Sequence, residues 1–146
     1  MLKYTTEVTI DLPRDKVISL FDSFENLSKW QPTLKSYEHL EGEPGQPGTK
    51  TRLLYDERGK DMEMIETIKS RNLPDEFIAI YTAKGVENIF ENYFSEISSD
   101  KTKWTTVSIF KFKGFMTIMS LFMKKAFTKS TLMSMNAFKE FAENTS

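Results

Sequence analysis

The sequence predicts an α+β fold in which a seven-stranded, curved antiparallel sheet wraps round a long C-terminal helix. Three observations support this fold class. Polar and apolar residues alternate from Tyr4 to Ile10, six further strand patterns begin at Leu34, and residues 116–142 contain neither glycine nor proline. Short turns join the six later strands, so these strands must pair antiparallel, because a parallel crossover needs a dozen or more residues.

The elements follow in the order strand, two short helices, six strands and one long helix. After strand one, apolar residues recur at the spacing of a short helix, at Val17, Leu20, Phe21 and Phe24. A second helical turn spans residues 26–29. The six later strands are predicted over residues 34–41, 49–58, 60–70, 76–84, 87–98 and 103–113. Their separators are rich in glycine, proline, serine and asparagine, which is typical of turns.

The C-terminal stretch is amphipathic on a helical wheel. Its apolar face comprises Met116, Met119, Met123, Phe127, Ser130, Ser134, Ala137, Phe138 and Phe141. Lysines, acids and Asn136 occupy the opposite face, so we expect the apolar face to lie against the sheet. Two serines stand where a packed core would use leucine, and they leave room and hydrogen-bonding capacity.

Composition excludes several classes of function. The 146 residues are predicted to form a single domain, 1–146. The chain has no cysteine and one histidine, which excludes thiolate zinc sites, cysteine nucleophiles and most catalytic triads. With 20 basic and 21 acidic residues it has no overall basic charge, so we expect no nucleic-acid partner. No metal or organic cofactor is indicated.

No stretch of the sequence is typical of a membrane span or a secretory signal. The longest uncharged stretch of the C-terminal part, residues 114–123, is too short to cross a bilayer. The N-terminal residues lack an apolar signal core. We therefore expect a cytoplasmic protein.

Five short motifs, together with the order of the elements, resemble those of one superfamily. They are an opening helix at residues 13–21, a second helix with Trp before Pro at 26–32, a Pro-Gly-x-x-Gly-Thr turn within 42–49, a Glu-Thr-Ile run with a following Leu-Pro at 66–74 that is similar to a Glu-x-Val and Pro element, and a stretch at 94–102 that is similar to a Phe-acid-Gly-Thr turn. The sequence resembles the START/Bet v 1-like (SRPBCC) superfamily, particularly its polyketide cyclase/dehydrase-like branch. One residue departs from the pattern, since Lys101 stands where that branch has a glycine.

This resemblance implies the helix-grip fold, with a cavity between the sheet and the long helix. Members of the superfamily use that cavity for lipids, polyketides or other hydrophobic molecules. Strand alternation and the helical wheel select the side chains that we expect to bind such a ligand, and Trp30 joins them as a cover for one mouth of the cavity. They are Trp30, Leu53, Tyr55, Met64, Glu66, Tyr81, Phe90, Trp104, Thr106, Ser108, Phe110, Met123, Phe127, Ser130, Ser134 and Phe138.

Three of the side chains in the sequence are candidates for proton transfer: Glu66, Tyr81 and His39. Glu66 falls in an apolar row, where a carboxyl is unfavourable unless it is paired or protonated. The alternative is that Glu66 pairs with Arg52 or faces solvent. Trp30 has two interpretations as well, because it can cover one mouth of the cavity or anchor the core.

Charge is unevenly distributed along the chain. Residues 101–139 contain eight lysines and no acid, and Lys124, Lys125 and Lys129 follow the apolar stretch 115–122. A solvated helix face is the favoured interpretation. A docking surface for an acidic partner, an anionic ligand or an anionic membrane is an alternative that the pattern does not favour.

Three hypotheses for function follow. The first is binding of a small hydrophobic ligand without catalysis, the second is a polyketide cyclase/dehydrase-type enzyme that uses the same cavity, and the third is a co-chaperone-like protein-interaction module. The absence of a convincing acid–base pair favours the first over the second. The sequence does not identify the ligand or the oligomeric state.

Overall fold

The computed structural model describes residues 1–114, 117–118 and 122–145. It has seven strands, β1 to β7, over Leu2–Ile10, Leu34–Glu41, Lys50–Glu57, Lys60–Asn72, Glu76–Ala83, Val86–Ser98 and Lys101–Phe112. Two short helices, α1 (Arg14–Phe21) and α2 (Phe24–Trp30), follow β1, and the long helix α3 covers Lys124–Thr145.

All seven strands form one antiparallel sheet in the order β1-β7-β6-β5-β4-β3-β2. Strands β2 to β7 pair with their neighbours in sequence, and β1 closes against β7. This arrangement confirms the predicted helix-grip fold, including the two short helices and the long C-terminal helix. The hairpin before Thr102 forms without a glycine, since Ser98 pairs with Lys101 beside a bulge in β6.

An aromatic core joins the short helices, α3 and the end of the sheet formed by β6 and β7. Phe138 of α3 is fully buried, and its ring lies 5.3 Å from that of Trp104 and 5.2 Å from that of Trp30. Phe21 of α1 makes edge-on contacts with Phe94, Trp104 and Phe138. Aromatic pairs of this geometry add roughly 0.5–1.5 kcal/mol each to the burial of their area. Trp30 is therefore an anchor of the core.

One flank of α3 lies along strand β1. The hydroxyl groups of Tyr4 and Thr131 are 2.7 Å apart, and Thr6 donates a hydrogen bond to the sulfur of Met135. Further along, the Lys139 ammonium donates to the carbonyl of Thr9. These contacts set the rotation of α3 about its axis.

That rotation corrects the helix face expected from the sequence. Ser130 and Ser134 are exposed, whereas the residues that follow them, Thr131 and Met135, face β1. Successive residues are separated by about 100° on a helix, so a shift of one position moves a side chain to the neighbouring flank. Apolarity alone does not select Thr131, which faces the sheet through a hydroxyl–hydroxyl hydrogen bond.

Two further boundaries differ from the expected ones. Phe24 does not continue the apolar face of α1; it begins α2, is partly exposed and stacks on Tyr37 of β2. The serine hydroxyl at position 23 caps α2, which explains why a new helix starts there. The predicted C-terminal helix began at Met116, but α3 begins at Lys124. Met116 and Met119 lie outside the described residues.

Candidate functional site

Three polar side chains stand side by side on the inner face of the sheet, the face that carries the buried core. Glu66 of β4 is directly opposite Tyr81 of β5, and Tyr81 is directly opposite Asn88 of β6. Paired residues point to the same face, and neighbouring strands are about 4.8 Å apart, so Glu66 and Asn88 are separated by about 10 Å. We call Glu66, Tyr81 and Asn88 the inner polar row.

Glu66 is a buried acid with a hydroxyl partner. Its exposed fraction is 7%, and the Tyr81 hydroxyl donates a 2.8 Å hydrogen bond to its Oε2 atom. Burial raises the pKa of the Glu66 carboxyl, and the hydrogen bond from Tyr81 acts in the opposite direction with a smaller effect. Arg52 does not neutralise it, because Arg52 pairs with Glu38 at 2.7 Å and with Glu63 at 3.8 Å. The environment therefore favours the protonated acid.

Glu66 affects the pKa of two tyrosines. Burial is the larger cause that raises the pKa of both Tyr81 and Tyr55, and the negative charge of ionised Glu66 is the second cause. The Tyr55 hydroxyl also donates a 2.7 Å hydrogen bond to Oε1 of Gln31, the C-cap residue that follows α2. Both phenols are thus held neutral, and one of them connects the inner face of the sheet to α2.

Asn88 has an unused hydrogen-bond acceptor. Its exposed fraction is 8%, and its Oδ1 atom is buried without a partner among the described residues. The indole N–H of Trp30 is also buried without a partner there. A buried polar atom left unpaired in this way costs roughly 1–3 kcal/mol, so each one calls for a reason beyond folding. Sequence reasoning selected Trp30 but missed Asn88.

A second polar group on the same face contrasts with this row. Asn92 lies two residues after Phe90 on β6. It accepts hydrogen bonds from the Trp104 indole at 3.0 Å and from the Thr106 hydroxyl at 3.1 Å. Its own amide group donates to the carbonyl of Phe77 at 3.2 Å. We call Asn92, Trp104 and Thr106 the Asn92 network. Its hydrogen bonds lie within the aromatic core.

The remaining residues that were predicted to bind a ligand lie at several places on the inner face of the sheet and on α3. Phe90 contacts the ring of Tyr81 edge-on at 5.7 Å. Phe110 and Phe127 contact each other at 4.9 Å, at the end of the sheet near the start of α3. Leu53 and Ser108 are buried, whereas Met64 and Met123 are half-buried.

His39 is not brought together with the other two candidates for proton transfer. It is exposed on β2, and its Nε2 atom lies 2.7 Å from the carbonyl oxygen of Gly42. Strand β3 separates it from Glu66. The geometry unites Glu66 with Tyr81 and leaves His39 at the sheet edge.

The basic segment lies at the start of α3. Lys124, Lys125 and Lys129 are exposed, and Phe122 beside them has an exposed fraction of 81%. No acid pairs with these three lysines among the described residues. They form a positively charged, partly apolar surface at the start of α3.

The described residues contain no group of three histidine, aspartate or glutamate side chains that could hold a metal ion. None of their helices is both long enough and apolar enough to cross a membrane.

Comparison with protein families identifies the class of the chain. Residues 1–137 match the family described as polyketide cyclase / dehydrase and lipid transport. The chain belongs to this family. Among curated proteins, none is similar enough to be counted as a relative.

Several solved structures share the fold of this member of the polyketide cyclase / dehydrase and lipid transport family. A START superfamily protein from Mycobacterium smegmatis has a TM-score of 0.80 and 15% identity, with all of both chains covered. The Zhui aromatase/cyclase from Streptomyces sp. R1128 has a TM-score of 0.77 and 17% identity over 97% of this chain and 93% of that one. The protein Ara h 8.0201 has a TM-score of 0.73 and 19% identity over 96% of each chain. At these identities the likeness concerns the fold.

Proposed function

We propose that this family member binds a small hydrophobic molecule between α3 and the inner face of strands β3 to β6. One observation carries the proposal, which is the unused hydrogen-bonding capacity of buried groups in an otherwise apolar setting. Asn88 Oδ1 and the Trp30 indole N–H are both buried and unpaired among the described residues. A ligand beside the inner polar row would supply the partner that Asn88 lacks.

The side chains around the inner polar row support an apolar ligand. The neighbouring inward positions on β3 to β7 are uncharged, namely Thr51, Leu53, Met64, Ile68, Ala79, Ala83, Val86, Phe90, Ser108 and Phe110. Binding sites for small molecules have this character, with many apolar side chains and a few polar groups that orient the ligand. The family description, which includes lipid transport, points in the same direction.

A specific observation also favours the second candidate, a cyclase or dehydrase. Glu66 and Tyr81 are joined by a 2.8 Å hydrogen bond, and burial raises the pKa of both. A neutral carboxylic acid hydrogen-bonded to a phenol can donate a proton to a bound carbonyl or hydroxyl oxygen. Binding is the primary proposal because a bound polar group would pair the buried Asn88 oxygen without any reaction. A single domain over residues 1–146 and a cytoplasmic location belong to the same proposal.

Titration with Nile red, a neutral hydrophobic dye, tests the binding proposal. We expect saturable binding by the folded protein and weaker binding by Asn88→Phe, because the new ring fills the space beside the inner polar row. Asn144→Phe is the matched control, since Asn144 is exposed near the end of α3. Circular dichroism verifies that both variants are folded.

Native mass spectrometry of the purified protein complements the titration. A copurified apolar molecule would support binding, and conversion of that molecule during incubation would favour the enzyme. If the wild-type protein neither binds Nile red saturably nor carries a ligand, the proposal is wrong. A protein-interaction function would then be the better hypothesis.

A further inference from the structure

We infer that the inner polar row recognises a neutral hydroxyl group on the apolar ligand and discriminates against an anionic head group. This inference rests on the proposed binding function and specifies the chemical class of its ligand. The class is that of apolar phenols and alcohols, as distinct from fatty-acid anions and plain hydrocarbons.

The first step of the argument concerns the available acceptors. Asn88 Oδ1 is buried and has no donor among the described residues. The described hydrogen bond to Glu66 reaches Oε2 alone, from Tyr81, which leaves the other carboxyl oxygen without a described partner. A ligand that brings a hydroxyl group can donate a hydrogen bond to Asn88 Oδ1.

The second step concerns a donor on the same face of the sheet. Burial raises the pKa of Glu66, which extends the range of pH over which its carboxyl is neutral. In that form Oε2 accepts from Tyr81 and the other oxygen carries a proton, because a protonated carboxyl has one O–H donor. A hydroxyl oxygen can accept this proton in a hydrogen bond, and a hydroxyl hydrogen can be donated to Asn88. A hydroxyl group is both donor and acceptor, which a hydrocarbon is not.

The third step concerns charge. Apart from Glu66, the inward side chains of the row and of the neighbouring positions on β3 to β7 are uncharged. Arg52 is engaged with Glu38 and Glu63. A carboxylate placed here would be desolvated without a cation to pair with it, next to an acid that would resist ionisation further. The same surroundings accept a neutral hydroxyl group.

Displacement of Nile red by three matched naphthalenes tests the inference at pH 7. The probes are 2-naphthol, 2-methoxynaphthalene and 2-naphthoate, which share the same ring system and present a hydroxyl group, a capped oxygen and an anion. We expect 2-naphthol to bind about tenfold more tightly than the methoxy compound, the effect of one buried hydrogen bond, and 2-naphthoate to bind most weakly.

The variant Asn88→Leu makes the test specific. It has no amide acceptor, so the preference for 2-naphthol over 2-methoxynaphthalene should fall to about twofold or less, with each affinity calculated from the variant's own affinity for Nile red. Asn144→Leu, the same exchange at an exposed site, should keep the full preference. Equal affinities of wild-type protein for the hydroxyl and methoxy compounds, or tightest binding of 2-naphthoate, would overturn the inference. Because Nile red binding is measured in the same titration, its absence would identify a failure of the proposed function instead.

Discussion

Two asparagines four residues apart on β6 occupy the same face of the sheet and have opposite environments. Asn92 makes three hydrogen bonds, to Trp104, Thr106 and Phe77, beneath the aromatic core. Asn88 is about equally buried, yet its amide oxygen has no partner in the described part of the chain. Burial is therefore the same at the two positions, and hydrogen bonding separates them.

This difference distinguishes a side chain that stabilises the fold from one that is available for a ligand. A polar network in which every member is paired specifies a unique core. An unpaired buried group reduces stability, and its energetic disadvantage is removed only when something binds to it. In the Asn92 network, at the end of the sheet near α1 and α2, the asparagine amide is fully hydrogen-bonded. In the inner polar row, the Asn88 oxygen has no hydrogen-bond partner among the described residues. Variants of the two regions should therefore behave differently.

The largest effect is expected for Asn92→Leu. Leucine has a similar volume, but the exchange leaves the Trp104 indole, the Thr106 hydroxyl and the Phe77 carbonyl without their partner. We expect the free energy of unfolding to fall by about 3–5 kcal/mol. Urea denaturation followed by circular dichroism measures it. A loss below about 1 kcal/mol would contradict the structural role assigned to this network.

The second effect concerns Glu66→Gln and depends on pH. Because burial raises the pKa of Glu66, the folded protein retains a proton that the unfolded chain releases above about pH 4.3. The free energy of unfolding of the wild-type protein therefore decreases as pH rises from there through the native pKa, by up to about 1.4 kcal/mol per pH unit. Glutamine is not titratable, so this contribution is absent from the variant.

The expected outcome is equal stability of variant and wild type near pH 4 and a variant that becomes the more stable of the two as pH rises toward 7. Denaturation curves of both proteins at several pH values give the difference, in which the titration of all other groups cancels. Glu63→Gln is a suitable control because Glu63 is an exposed acid on the same strand. A stability difference that does not vary with pH would show that Glu66 ionises in the folded protein as it does in water.

The third effect has the opposite sign to that of Asn92→Leu, although the amino-acid exchange is the same. Asn88→Leu removes a buried acceptor that lacks a partner, and it buries more apolar surface. We expect the free energy of unfolding to stay the same or to rise by up to about 1 kcal/mol in the absence of ligand. Urea denaturation of the ligand-free protein measures this free energy. Destabilisation comparable to that of Asn92→Leu would remove the distinction between the two regions.

The strands and the identity of the inward residues could be predicted because period-two alternation reports directly on burial. The position of Asn88 could also have been found. The two-residue turn at Lys84 and Gly85 makes Ala83 pair with Val86, and counting back along this hairpin places Tyr81 opposite Asn88. No such count was available for Glu66 and Tyr81, because a longer loop and a bulge after Ile68 intervene between β4 and β5.

The orientation of the long helix could not be predicted from apolarity for a related reason. A helical wheel ranks faces by hydrophobicity, and it selected the flank with Ser130 and Ser134. The contacts of α3 with β1 use a threonine hydroxyl and a methionine sulfur, each paired with a polar group on the strand. Such pairs depend on the position of β1 in space, about which the local sequence of the helix contains no information.

The smallest effect is expected at the basic surface, which serves as a comparison for both interior regions. Lys124, Lys125 and Lys129 are exposed, and the first two lie in the first turn of α3, where positive charge is unfavourable to the helix dipole. Replacing all three by glutamine should change the free energy of unfolding by no more than about 0.5 kcal/mol and should leave Nile red affinity unaltered.

Flotation with anionic and with neutral vesicles at low salt should be equally slight for the wild-type protein and for this triple variant. Salt-sensitive flotation of the wild-type protein with anionic vesicles, lost in the variant, would contradict this expectation, since each lysine near such a surface contributes about 1 kcal/mol. The lysines would then form a membrane contact, and the ligand of the inner polar row would have a lipid bilayer as its source.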